Sequence, residues 1–240
     1  MNLAIDFGNS LIKAAWFDGN ELRELLSPIE ESALVELTKE KPENTIISAV
    51  GKYPKTVIEA FSRVSNVMVA DHTLMYPIKN LYASPTTLGI DRLAGAVGAH
   101  HLFPNECCLV IDLGTCITYD FIDEQGNYYG GGISPGVNMK FKALHTFTEK
   151  LPFVQAGADE PLLIGYDTER SIKSGVLWGT VYEIEGMISA YAKKKSKLKT
   201  IICGGDTKFF ESKIKAPIFV APELVLLGLN RILQHNVSYL

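Results

Sequence analysis

Apolar and polar positions alternate along this chain in two matching blocks. The first opens with the apolar run Leu3-Ala4-Ile5, ends it at Asp6, and turns through Phe7-Gly8-Asn9-Ser10. It resumes as Leu11-Ile12-Lys13-Ala14-Ala15-Trp16-Phe17, turns again at Asp18-Gly19-Asn20, and closes with Glu21-Leu22-Arg23-Glu24-Leu25-Leu26. The second block reads Leu109-Val110-Ile111-Asp112, then the turn Leu113-Gly114-Thr115-Cys116, then Ile117-Thr118-Tyr119-Asp120-Phe121-Ile122. A turn at Asp123-Glu124-Gln125-Gly126-Asn127 leads into Tyr128-Tyr129-Gly130-Gly131. Short apolar runs broken by Gly- and Asn-bearing turns predict a three-stranded meander in each block. Asp6 aligns with Asp112, Gly8 with Gly114, Asn9 with Thr115 and Gly19 with Gly126. Self-similarity of this length predicts a duplicated architecture.

The segments after each meander match as well. The first is followed by an acidic amphipathic stretch at 30–41, an apolar run at 45–50, a helical pattern at 54–64, a run at 66–70 and a helix beginning near Asp91. The second is followed by a helical stretch from Gly136, a long one over 168–195, a run at 200–203, a helix over 207–214, a run at 216–220 and a last helix starting at Pro222. Each half therefore reads strand-strand-strand-helix-strand-helix-strand-helix. That order predicts an α/β chain of two tandem lobes, 1–105 and 106–240, each a mixed sheet covered by helices.

Composition narrows the setting. The 240 residues are 47% hydrophobic and 21% charged, with a net charge of −4, which suits a globular core and offers no basic footprint for nucleic acid. Lys193-Lys194-Lys195 reads as the cationic end of a helix. Met1-Asn2-Leu3-Ala4-Ile5-Asp6 has neither a basic leader nor an apolar stretch of a signal peptide, and no apolar run approaches the ~20 residues of a membrane span. Cys107, Cys108, Cys116 and Cys203 lack metal-ligand or C-x-x-C spacing, so reduced thiols in a cytoplasmic protein are expected. His72, His100, His101, His145 and His235 likewise show no metal-ligand spacing, and Trp16 and Trp178 fall on core-facing positions.

The repeated turn is the first candidate for chemistry. A glycine turn after a strand lets backbone N–H groups approach phosphate oxygens. Asn9, Ser10 and Thr115 add donors, Lys13 adds a point charge, and Asp6 and Asp112 stand at strand ends where a carboxylate can hold Mg²⁺ or its waters. One Asp-x-Gly turn alone is an ordinary hairpin; two in register, with Gly204-Gly205-Asp206 after a later run, point to phosphate. A second candidate is Gly89-Ile90-Asp91-Arg92, which runs into a helix of small residues. Spacing alone leaves Asp91 as either a helix-start carboxylate or a catalytic one.

Together these motifs resemble the actin-like ATPase superfamily, and within it the type III pantothenate kinases. Asp6-Phe7-Gly8-Asn9-Ser10-Leu11-Ile12-Lys13 is similar to that family's first motif, and Gly89-Ile90-Asp91-Arg92 to its Gly-x-Asp-Arg motif. Asp112-Leu113-Gly114-Thr115, followed by residues 130–136, is similar to its second phosphate motif. Ser174-Gly175 with Gly179, and the segment from Pro222 to Leu229, extend the likeness over essentially the whole chain.

The resemblance implies two ribonuclease H-like lobes whose Asp-x-Gly hairpins hold ATP, with Gly204 and Gly205 against the adenosine. It implies Asp91 as the base for the pantothenate hydroxyl, Gly89 to Arg92 as substrate-lining, Tyr82 as an aromatic cover and Thr168 as a substrate contact supplied across a homodimer. It implies a monovalent cation, K⁺ or NH₄⁺, at Asp112, Thr115 on ATP, and Mg²⁺ near Asp6. Alternatives from other classes are a different small-molecule kinase or phosphatase on the same lobes and a non-enzymatic accessory factor. Gly89-Ile90-Asp91-Arg92 and the intact Asp6 and Asp112 argue for the kinase.

Overall fold

Both meanders form. In the computed structural model, which describes residues 1–51, 54–157, 159–195 and 197–238, the first consists of β1 (Asn2–Phe7), β2 (Ile12–Asp18) and β3 (Glu21–Leu26). β1 and β2 pair antiparallel from Asn2 opposite Phe17 to Phe7 opposite Ile12, which sets Asp6 across from Lys13. β4 (Asn44–Ala49) and β5 (Asn66–Val69) add in parallel beyond β1, giving the order β3-β2-β1-β4-β5. Parallel neighbours need crossovers. These are α1 (Glu31–Glu36), continued by a 3₁₀ turn at Leu37–Glu40, and α2 (Lys55–Ser62). Leu3, Ile5, Ala14, Trp16 and Ile47 bury one sheet face against Leu34, Val57 and Phe61 of those helices.

The opposite face carries α3 (Ile90–Leu102) and α7 (Leu224–Val237), which pack against β4 and against β1, β2 and β4 respectively. Every residue of α3 from Arg92 to Ala99 is buried. Small residues make that burial possible. A Cβ at Gly98 would stand 2.5 Å from the Leu224 carbonyl oxygen, and one at Gly228 would overlap the Ala94 carbonyl. The last helix begins at Leu224, after Pro222 rather than at it, with Glu223 at its N-cap.

The second sheet has the order β11-β10-β7-β8-β9-β6. Its strands are β6 (Lys79–Asn80), β7 (Cys107–Leu113), β8 (Cys116–Ile122), β9 (Asn127–Pro135), β10 (Leu198–Cys203) and β11 (Phe219–Val220). α4 (Val137–Thr146), α5 (Thr168–Lys194) and the single turn α6 (Thr207–Phe210) accompany them. α5 is well signalled locally. Asp167 caps it by accepting from the Arg170 N–H at 2.8 Å, Lys193 and Lys194 occupy its last turn, and Ile172, Val176, Val181, Ile184 and Ile188 line its buried side. β11 is shorter than the expected 216–220, since Pro217 has no N–H to give to a ladder.

Contacts divide the chain into two units. Unit 1 holds residues 1–108, 120–130 and from 223 onward; unit 2 holds 109–119 and 131–222.

Candidate active site

In unit 1, the β1–β2 turn is built to offer polar groups. Phe7 and Ile12 pack on the core at its base, and the Gly8 N–H donates to the Leu11 carbonyl at 3.1 Å. Asn9, Ser10 and Leu11 are exposed at the tip, while Asp6 is buried at the strand end with Lys13 half-buried opposite.

In unit 2, three segments meet at the β7–β8 turn. Within it, the Gly114 N–H donates to the Cys116 carbonyl at 3.1 Å, and at the start of α4 the Gly136 N–H donates to the Thr115 carbonyl at 3.1 Å. From the end of β10, the Asp206 N–H donates to the Leu113 carbonyl at 3.0 Å. Gly204 adopts φ +95°, and a Cβ there would lie 2.5 Å from both Asp112 Oδ1 and the Leu113 carbonyl oxygen. Only glycine lets the chain take this conformation and pack so closely against that carboxylate. Thr115 and Gly205 are exposed beside it, and burial pushes the Asp206 carboxyl up. Thr168 is the exposed first residue of α5.

The start of α3, again in unit 1, is the most constrained part. Gly89 is the N-cap, and Asp91 Oδ1 accepts from the Arg92 backbone N–H at 2.8 Å. A Cβ on Gly89 would overlap that carboxylate oxygen, so glycine is what lets Asp91 fold back here. Burial raises the Asp91 pKa, and the charge of Asp120 adds to the rise against the opposing Arg92 N–H and guanidinium. Arg92 is buried and forks onto Asp120, with Nε at 3.0 and 3.2 Å and Nη2 at 2.7 Å. Asp120 also accepts from the Tyr128 hydroxyl at 2.6 Å. The Tyr82 ring lies 5.8 Å from the guanidinium carbon and 6.4 Å from the Tyr128 ring. Gly130, at φ +85°, lies under Tyr82: a Cβ there would be 2.5 Å from the ring. Tyr82 is held in turn by Asn80 Oδ1, which accepts its N–H at 2.9 Å, and by the β6–β9 pairing.

A sequence model of the type III pantothenate kinases matches residues 2–190. The chain belongs to that family. A relative named type III pantothenate kinase from Cytophaga hutchinsonii is 46% identical over 239 residues, covering 99% of this chain and 100% of the relative. Among solved structures, a Baf family transcriptional activator from Campylobacter jejuni matches with TM-score 0.64 at 20% identity, covering 98% of this chain and 99% of that one. An inorganic polyphosphate/ATP-glucomannokinase from Arthrobacter sp. strain KM matches with TM-score 0.50 at 13% identity, covering 97% and 98%. At such identities the structural likenesses speak for the fold, the actin-like ATPase architecture shared with sugar kinases.

For a type III pantothenate kinase the ion chemistry has to fit the donors present. Among the described residues no three His, Cys, Asp or Glu side chains gather to hold a metal. Mg²⁺ is commonly held by one or two carboxylates together with water and substrate phosphates, which single aspartates at strand ends suit. Asp112, a single half-buried carboxylate at the end of β7, is a donor of the kind a small cation takes in the same way. Also among the described residues, no helix is long and apolar enough to cross a membrane.

Within unit 1 the structure brings Tyr82, Gly89, Asp91 and Arg92 together; within unit 2 it brings Asp112, Gly114, Thr115 and Gly204 together. The sequence reading gave Asp120 and Tyr128 no site role, and took Gly130 only as part of the second phosphate motif. A signal for Asp120 was present: by the register that aligns Asp6 with Asp112, it stands where the first block has Ala14. A carboxylate inside an apolar strand calls for a buried partner.

Proposed function

We propose that this chain transfers the γ-phosphoryl group of ATP to the primary hydroxyl of pantothenate, giving 4′-phosphopantothenate and ADP, the first step towards coenzyme A. Membership of the family over nearly the whole chain supports the reaction. The observation that carries the mechanism is Asp91, a carboxylate fixed at the first turn of α3 with a raised pKa. The bond between the pantothenate oxygen and Pγ forms as the bond from Pγ to the bridging β,γ-oxygen breaks. The hydroxyl proton passes to the Asp91 carboxylate, and ADP leaves. A base of raised proton affinity held beside the hydroxyl suits this step.

Residues 6–13 hold the phosphates of ATP through the turn N–H groups, Asn9, Ser10 and Lys13, with Gly114 and Thr115 assisting and Gly204 and Gly205 along the adenosine. Asp6 would hold Mg²⁺ or its waters, which would supply neutralisation of the phosphate charge, and Asp112 would hold K⁺ or NH₄⁺. Gly89 to Arg92 line the pantothenate pocket, Tyr82 covers it, and Thr168 reaches it from a second copy in a homodimer. A cytoplasmic setting accords with the four free cysteines.

The test is ADP release with pantothenate, with and without K⁺, for the wild type and Asp91→Asn. Pantothenate-dependent, K⁺-dependent turnover that collapses in the variant is expected. Turnover with another acceptor and none with pantothenate overturns the reaction; full activity in Asp91→Asn removes the base.

A further inference from the structure

Arg92 does not stand in its pocket as a free cation. Two of its three nitrogens are spent on one carboxylate, and that carboxylate is itself 1% exposed. The Tyr128 hydroxyl takes part of the acceptor capacity that remains on Asp120. A buried Arg–Asp pair is a weak device for stability alone, because the cost of desolvating both ions offsets most of their attraction. Its geometry is what it supplies: a two-point fork that forbids rotation of the guanidinium. Here the fork lies one residue from Asp91 and under the Tyr82 ring.

We infer that Asp120, braced by Tyr128, is a positioning residue of the kinase reaction, locking Arg92 into a rigid and charge-balanced bracket from which Asp91 and the Tyr82 cover are set. The inference rests on the reading of Asp91 and Arg92 given above. Rigidity follows from the fork. Charge balance matters to the base: an unopposed guanidinium beside Asp91 would stabilise its carboxylate and weaken it as a proton acceptor, whereas Asp120 cancels that effect. The charged groups acting on Asp91 are Arg92 on its own helix and Asp120 on β8. Tyr82 and Tyr128 are the titratable groups closing around the pair.

The experiment compares steady-state kinetics of the full-length wild type, Asp120→Asn and Tyr128→Phe across pH, with circular dichroism to establish folding. In Asp120→Asn, kcat/KM for pantothenate is expected to fall at least roughly tenfold through loss of orientation, with the KM for ATP unchanged. The acid limb of its pH profile is expected to move to lower pH, because losing Asp120 and unbalancing Arg92 both favour the Asp91 carboxylate. Tyr128→Phe should raise the KM for pantothenate in the same selective way, by less. A folded Asp120→Asn whose acid limb stays in place overturns the inference. Should that variant not fold, wild-type pantothenate kinetics in Tyr128→Phe overturn it equally. A wild type that phosphorylates no pantothenate fails the reaction itself and the inference with it, a result distinguishable from either.

Discussion

Asp91 does two jobs that pull in opposite directions, and the conflict can be measured. Its folded pKa is raised, mainly by burial. A raised carboxylate contributes stability that is present below its unfolded pKa and is lost as pH rises through the folded one. Above its folded pKa the protein therefore carries an ionised group it would hold more easily as the acid. Asp91→Asn keeps an oxygen for the Arg92 N–H and removes that charge. We predict that the variant melts above the wild type at pH 7, and that the gap closes towards about pH 4, where the unfolded carboxyl also protonates. A variant melting below the wild type at both pH values would refute this account of the shift. The same shift predicts that wild-type kcat/KM for pantothenate declines on acidification already above the ordinary carboxylate range.

Asp91 and Arg92 are legible in the sequence as a motif at a helix start, and the structure adds why Gly89 precedes them. Their partner is less legible. Asp120 and Tyr128 lie far along the chain on two strands of another sheet, and no local rule pairs an arginine with a carboxylate across that separation.

At the scale of elements, close approach decides what glycine does. α3 and α7 cross where Gly98 and Gly228 remove side chains, and a Cβ at Gly228 would overlap the Ala94 carbonyl. Gly228→Ala must push the helices apart, so a loss of about 1–3 kcal/mol is predicted from the urea midpoint at unchanged m. A variant of wild-type stability would mean the crossing yields freely. Gly130→Ala is a different experiment, because its Cβ would meet the Tyr82 ring instead of a backbone. That variant should raise the KM for pantothenate while leaving the KM for ATP in place, which a general loss of fold would not do. α5 was legible through its length and the lysine run at its end, and the structure adds the Asp167 cap. β6 was not: two polar residues show no alternation, and the strand exists because β9 offers an edge. The helical pattern over 207–214 resolves into a single turn, α6, followed by hydrogen-bonded turns back to Phe210.

At the scale of the molecule, the segment before α5 shows what a single chain leaves undone. Its backbone is fixed to the helix: Ser174 Oγ donates to the Leu163 carbonyl at 2.6 Å, Ser171 Oγ to the Gly165 carbonyl at 3.3 Å, and Trp178 Nε1 to the Pro161 carbonyl at 3.0 Å. Gly165 lies so tightly on α5 that a Cβ would meet the Arg170 carbonyl carbon at 2.5 Å. Yet the side chains of this ordered segment face outward, with Ile164 81% and Tyr166 72% exposed, and Leu163 also exposed. A loop held rigid with its apolar side chains in water has already lost the entropy that association would otherwise cost, and an exposed apolar patch marks a surface that another protein covers. Thr168, the residue proposed to reach a partner's pocket, follows two positions after Tyr166. We therefore predict that the chain sediments at twice its 26.4 kDa mass and that Ile164→Asp shifts it towards the monomer. If the pocket is shared, activity lost in Ile164→Asp returns as protein concentration rises and dimers reform. A monomeric variant with full activity at every concentration would place Thr168 outside the reaction and leave the pocket complete within one chain.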